Sequence, residues 1–305
     1  MKHFLSDDST SESTPIIVAT QQQFNIKTTI YDSNGLGINP KRLQQNEDHP
    51  PVIVHYHIFK NAGTSLDLAL QQYFGDQWTS YEGSHSHDLK TSADLYEFLK
   101  KNQAIRSLSS HLARPPLPHA NALPIVFLRN PLLRARSVYE FTRKDPSQPF
   151  RDATSGTFSD YLEWALSGAP GGVVIRDYQV IHLSSASFAD GGILAAQATE
   201  ESLREARALL ESWPVLGVVE KYAQSLKVIE RAYRTSFPQL ALQPEHVNRS
   251  ETSSQEETIR QEIGESLYQE FNRQNQFDNQ LYRYATTRLS DLCKTYNVET
   301  ACETV

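Results

Sequence analysis

Val52-Ile53-Val54-His55-Tyr56-His57-Ile58-Phe59-Lys60-Asn61-Ala62-Gly63-Thr64-Ser65-Leu66 is the stretch that decides the fold. Val52 to Val54 is a β-branched run, and Ile58 leads from it into a short loop from Lys60 to Ser65. Leu66 to Phe74 then has the composition of an amphipathic helix. Strand, small-residue loop and helix in that order make an anion cradle. A helix start presents unpaired N–H groups and the positive end of its dipole. Gly63 is expected to let the backbone approach a phosphate closely, with the Thr64 and Ser65 hydroxyls and the Lys60 ammonium as further donors.

The position of the lysine defines the kind of phosphate site. A nucleotide-triphosphatase loop reads G-x-x-x-x-G-K-[ST], with Lys after the last Gly. Here Lys60 precedes Gly63, the only glycine of the loop, and no Gly-Lys-Ser/Thr occurs in the chain. The shortened loop has room for one phosphate rather than a β/γ pair, which argues against ATP cleavage.

His57 to Leu66 resembles the H-I-P-K-T-A-G-T-S-L signature of sulfotransferases that use 3′-phosphoadenosine 5′-phosphosulfate (PAPS). The nearest branch is the carbohydrate type related to heparan and chondroitin sulfotransferases, sulfotransferase family 2. Phe59 stands for the signature's Pro, losing a fixed φ, and Asn61 stands for Thr. The resemblance implies that Lys60, Asn61, Ala62, Gly63, Thr64 and Ser65 grip the 5′-phosphosulfate. It implies an α/β fold, P-loop-NTPase-like and three-layered, with a central, mainly parallel sheet flanked by helices.

A second motif lies downstream. Pro124 to Leu128 is an apolar run stopped by Arg129-Asn130-Pro131, which reads as a buried strand ending at a turn. Pro131 suits a helix's first turn, and Leu132 to Phe141 continues with helical composition. Arg129 therefore falls at the carboxyl end of a strand, where open α/β sheets bind ligands. The segment resembles the family's L-R-[DN]-P-x-x-R-x-x-S block, which implies that Arg129 and Ser137 hold the 3′-phosphate. A planar guanidinium suits that dianion better than an ammonium does.

His111 follows Ala104 to Ser110 and precedes a Pro-rich loop, Leu112 to Pro118. In the family a strand-end Gly-His pair lies here, which implies that His111 is the base for the acceptor hydroxyl, with Ser110 in place of Gly. An imidazole titrates near neutrality, which suits that task. Further on, Pro214 to Glu220 reads as a short core strand, and Tyr222, Leu226, Ile229 and Tyr233 follow at helical spacing. Glu220 is either a second carboxylate near the acceptor or a structural hydrogen-bonding group. His246 to Ser250 resembles the family's H-x-N-x-S, which implies cofactor contacts from Asn248 and Arg249. Ile259, Ile263, Leu267 and Phe271 recur every four residues, and Phe277, Leu281, Tyr284 and Leu292 continue a similar face, so two core helices are expected.

His55 and His57, two apart on a strand, share a face and could be zinc ligands, but no Cys, His or carboxylate set nearby in sequence completes a site. No metal is expected, since the loop neutralises the departing phosphate. His85 and His87 lie in a polar loop and could touch the acceptor or nothing.

The remaining composition fits a globular catalytic domain. The two cysteines, Cys293 and Cys302, offer no disulfide framework. The chain carries a formal net charge of −7, yet residues 106–151 hold eight Arg or Lys against Glu140 and Asp145. That sector is expected to draw in an anionic donor; a nucleic-acid surface lacks the aromatic-basic interleaving it would need. No apolar run is long enough for a membrane span and none follows Met1 as in a signal peptide, pointing to a cytoplasmic, bacterial-type enzyme. Residues 1–50 are expected to form a partly disordered N-terminal extension, 51–292 the sulfotransferase domain and 293–305 a tail. The expected function is sulfuryl transfer from PAPS to a hydroxyl acceptor, a glycan or glycolipid. An ATP-dependent nucleotide kinase of related fold and a non-catalytic nucleotide-binding protein are the alternatives, and the oligomeric state is left open.

Overall fold

The computed structural model describes residues 49–85, 87–243 and 252–299. Almost all of the expected N-terminal extension, Asn248, Arg249 and Cys302 lie outside the described residues.

Strand β1 (Val52–Tyr56) is buried along its whole length. Its Val and Ile residues suit a strand covered on both faces. The loop then feeds helix α1 (Gly63–Phe74), followed by β2 (Trp78–Ser80), α2 (Ser92–Lys101) and β3 (Ser107–Ser110). Strand β4 (Ala122–Ile125) completes a parallel sheet in the order β2-β3-β1-β4. The apolar run expected as one strand divides here. Ile125 ends β4, and after Val126 the chain re-pairs as β5 (Phe127–Leu128), parallel to β6 (Gly217–Val218). Val126 makes the switch, its carbonyl accepting from the Gly217 N–H at 2.8 Å. Central parallel strands flanked by helices are the α/β architecture expected from the sequence.

Helix α3 (Pro131–Lys144) begins as expected, with Pro131 at its start and the Asn130 side chain accepting from the Leu132 and Leu133 N–H groups. Then come α4 (Phe158–Leu166), α5 (Tyr178–His182), α6 (Glu200–Ser212) and α7 (Tyr222–Tyr233). The C-terminal stripe expected as two helices forms three: α8 (Thr252–Ile263), α9 (Glu265–Gln274) and α10 (Gln276–Thr295). Gly264, at φ 79°, breaks the first stripe, because the backbone there is left-handed. Helix α10 runs to Thr295, three residues into the stretch read as a tail, and Cys293 is buried in it.

One apolar core joins β1, β3, β4, β5 and β6 to α1, α7 and α10, drawing on Leu66, Leu70, Leu226, Ile229 and Leu281. A second, containing Leu132, Val138, Phe158, Leu162, Ile259 and Phe271, joins α3 and α4 to α8 and α9. The two together hold three strand ends in one place. Tyr56 pairs with Ser110, so β1 and β3 finish side by side, and the Lys60 loop and His111 leave from neighbouring carboxyl ends.

Candidate active site

The loop between β1 and α1 is held in a special backbone conformation. Lys60 and Ala62 have φ of 64° and 59°, left-handed values that a side chain disfavours. Such residues cost on the order of 1–3 kcal/mol each and persist only where the surroundings enforce them. Left-handed Ala62 runs directly into the right-handed first turn of α1, a backbone alternation of the kind from which anion-binding nests are built. Helices α2, α4 and α6 close their first turns with capping boxes. Helix α1 has no side-chain cap. In its first turn Thr64 is exposed and Ser65 half-buried.

Several buried groups enforce that shape. Asn61 is 1% exposed, and its amide donates to the Phe127 carbonyl (2.7 Å) and to Gln179 Oε1 (2.8 Å). Its N–H donates to the Ile58 carbonyl at 3.1 Å. The Asn61 side chain is therefore turned inward and fastens the loop to β5, which leaves untouched the backbone role expected of this residue. Arg134 is equally buried; its guanidinium donates to the Phe59 carbonyl at 3.3 Å and to that of Val174.

Gly63 also has a packing reason that the sequence did not show. A β-carbon there would lie 2.0 Å from the His57 ring, so the glycine makes room for an imidazole.

Arg129 comes to this loop from β5. Its guanidinium donates to the Lys60 carbonyl at 3.0 Å, and its Nε lies 4.0 Å from Glu220 Oε1. Gln179 fixes the backbone on both sides, accepting from the Arg129 N–H (2.9 Å) and donating to its carbonyl (3.0 Å). Asp278 holds Gln179 in turn, accepting from its N–H at 3.1 Å and its amide at 3.2 Å. Glu220 accepts from the Asn130 N–H (3.2 Å) and the Tyr282 hydroxyl (3.1 Å), and burial raises its carboxyl above the usual range despite Arg129. Its contacts are those of a structural hydrogen-bonding group. The Lys60 ammonium rests over the Phe141 ring, 4.2 Å from its centre. Burial, and then the neighbouring Arg129, lower its pKa. Ser137 sits half-buried on α3.

His111 emerges beside the loop. Its ring stacks on His57 with 3.7 Å between centres, and its Nδ1 lies 3.0 Å from Glu82 Oε1. Glu82 also accepts from the His111 N–H at 3.0 Å. An acceptor-only carboxylate fixes the tautomer: Nδ1 carries the proton and Nε2 keeps a free lone pair. Burial acts to raise the Glu82 carboxyl, but the His111 hydrogen bonds outweigh it and hold the group below its usual range. Arg114, 1% exposed, donates to the His111 carbonyl at 2.8 Å.

The structure thus gathers Lys60, Thr64, Ser65, Arg129 and His111 at adjoining strand and loop ends. Glu82 and Gln179 were missed in the sequence, since neither lies on a periodic stripe, and Arg134 was read only as part of a motif and of the basic sector. The basic sector is not one surface. Arg114 and Arg134 are buried against carbonyls, and Arg136 pairs with Glu262. Of the two histidines read as potential zinc ligands, each has a nitrogen near Asp67 on α1, a carboxylate that the sequence reading did not connect to them.

No family model matches the chain. An uncharacterized protein from Archaeoglobus fulgidus is 25% identical over 245 residues, covering 76% of this chain and 94% of the relative. A crystal structure of a sulfotransferase from Alicyclobacillus acidocaldarius aligns over 76% of this chain and 98% of its own, with 14% identity and a TM-score of 0.34.

Proposed function

We propose that the chain transfers the sulfuryl group of PAPS to a hydroxyl, on a carbohydrate acceptor. The observation that carries this reading is the contact of Arg129 with the Lys60 carbonyl, which sets side by side the two segments that resemble the family's phosphate-binding motifs. An open helix start and a guanidinium beside it suit a ligand phosphorylated at both ends of an adenosine. The sequence motifs that resemble the family fall on these same two segments.

In this reading the opening N–H groups of α1, with Thr64 and Ser65, hold the 5′-phosphosulfate. Arg129 and Ser137 take the 3′-phosphate, and Asn248 and Arg249 add cofactor contacts. With the sulfuryl group so fixed, an acceptor oxygen attacks sulfur in line with the departing phosphate oxygen. His111 Nε2 takes the hydroxyl proton, and Glu82 stabilises the imidazolium through Nδ1–H. Lys60 donates to the bridging oxygen as its S–O bond breaks, offsetting charge on the nucleotide. Positioning and electrostatics supply most of the acceleration, as in phosphoryl transfer.

The test is calorimetry with adenosine 3′,5′-bisphosphate against ATP with Mg²⁺, then transfer of labelled sulfate from PAPS to candidate polysaccharides. Preference for the bisphosphate and label in a polysaccharide support the reading. Preference for ATP transfers the site to the kinase class, and binding without transfer to any hydroxyl removes catalysis.

A further inference from the structure

Behind the phosphate-binding loop, β1 and α1 bring together His55, His57 and Asp67, each offering one donor atom, all within 4.8 Å of one another. We infer that these three residues bind a divalent transition metal of the zinc class. Two imidazoles and a carboxylate are the donor set that Zn²⁺ prefers over Mg²⁺ or Ca²⁺, which favour all-oxygen sites.

The geometry points to a shared ion rather than to a hydrogen-bonded cluster. His55 Nδ1 lies 2.8 Å from Asp67 Oδ1 and bonds it directly. His57 Nδ1 lies 3.1 Å from Asp67 Oδ2, yet it is buried and has no aligned hydrogen-bond partner among the described residues. A ring nitrogen that close to a carboxylate without an aligned hydrogen bond is free to serve as co-ligand of a third atom. Ligands at about 2.0–2.1 Å around a tetrahedral ion stand roughly 3.3 Å apart, so small shifts of these side chains would admit one. Both rings lie on one strand face, 5.0 Å between centres and 17° from parallel, so their Nδ1 edges address the same side chain.

Asp67 is 20% exposed, which leaves a side for a water as fourth ligand. The ion would act as a strut, tying β1 to α1 and fixing the His57 ring against Gly63 and His111. This inference stands on other residues than the sulfuryl-transfer reading and does not depend on it.

The full chain, dialysed against EDTA, is titrated with Zn²⁺ and with Co²⁺. One equivalent of zinc retained through gel filtration, and the visible absorption of four-coordinate Co²⁺, are expected. Asp67→Asn and His57→Phe, checked for folding by circular dichroism, should weaken Co²⁺ binding by more than roughly 100-fold, beyond the loss typical of an outer-sphere change. Absence of the Co²⁺ band in the unaltered protein overturns the inference without needing any variant. A band undiminished in both variants overturns it too, by assigning the ion elsewhere. Adenosine 3′,5′-bisphosphate binding measured on the same metal-free sample reports separately on the proposed function.

Discussion

The His57 ring occupies the space that a β-carbon on Gly63 would need, 2.0 Å from the hypothetical atom. His57 is itself wedged between His55 and His111, so it has no direction in which to yield. Gly63→Ala should therefore destabilise the chain by about 1–3 kcal/mol, the usual cost of overpacking. His57→Ala should relieve much of that cost, giving a coupling energy in urea-unfolding cycles. Purely additive losses would mean that the two residues do not compete for the same space.

Arg129→Ala should weaken adenosine 3′,5′-bisphosphate far more than 5′-AMP. Because Arg129 also donates to the Lys60 carbonyl, part of the loss should appear for both nucleotides. Equal losses, measured by calorimetry, would remove the guanidinium from the 3′ pocket and leave it only a loop clamp.

Lys60→Ala should lower turnover by orders of magnitude while the chain stays folded. Its ammonium rests on Phe141, so Phe141→Leu should leave nucleotide affinity nearly intact but reduce kcat by releasing the lysine from its perch. Unchanged turnover in Lys60→Ala would take the residue out of the chemistry.

His111→Ala should stop transfer with little change in nucleotide affinity. Glu82→Gln should lower kcat without the same effect on KM, since an amide can still hold the ring but cannot stabilise an imidazolium. If both variants kept full turnover, the base would have to be sought elsewhere.

His119 offers a test of stability away from the site. Burial, with His49 beside it, pushes it down to about 4. Below its unfolded pKa near 6.5 the unfolded chain takes up a proton that the folded chain refuses. Its contribution is complete above pH 6.5 and is lost as pH falls towards 4. His119→Phe should flatten the urea stability profile in that window by up to about 1.4 kcal/mol per pH unit. A profile parallel to that of the unaltered protein would show that His119 does not titrate differently on folding.

What could be read from the sequence was the local grammar: β-branched run, small-residue loop and helix, and an arginine stopped by Asn-Pro at a strand end. These depend on neighbours in the chain, and the structure keeps each of them. Gln179 could not be read, because a polar residue in a five-residue helix gives no periodic signal, and its partners Asn61, Arg129 and Asp278 are far apart in sequence. Asp67 was hidden for a similar reason: it joins His55 and His57 only once α1 folds back along β1. The basic sector misled because charge counted along a chain ignores burial; two of its arginines face carbonyls inside the protein. Pro124 to Leu128 looked continuous, since apolar composition does not show where a strand changes partner.

One amide, Gln179, grips the loop between β1 and α1 through Asn61 and the arginine turn through both sides of the Arg129 peptide. The two segments proposed to receive the nucleotide are thereby welded together before any guest arrives. A nucleotide would meet a mould already cast, with little ordering left to do, so its capture should follow a single fast phase in stopped-flow traces, with no slow rearrangement behind it.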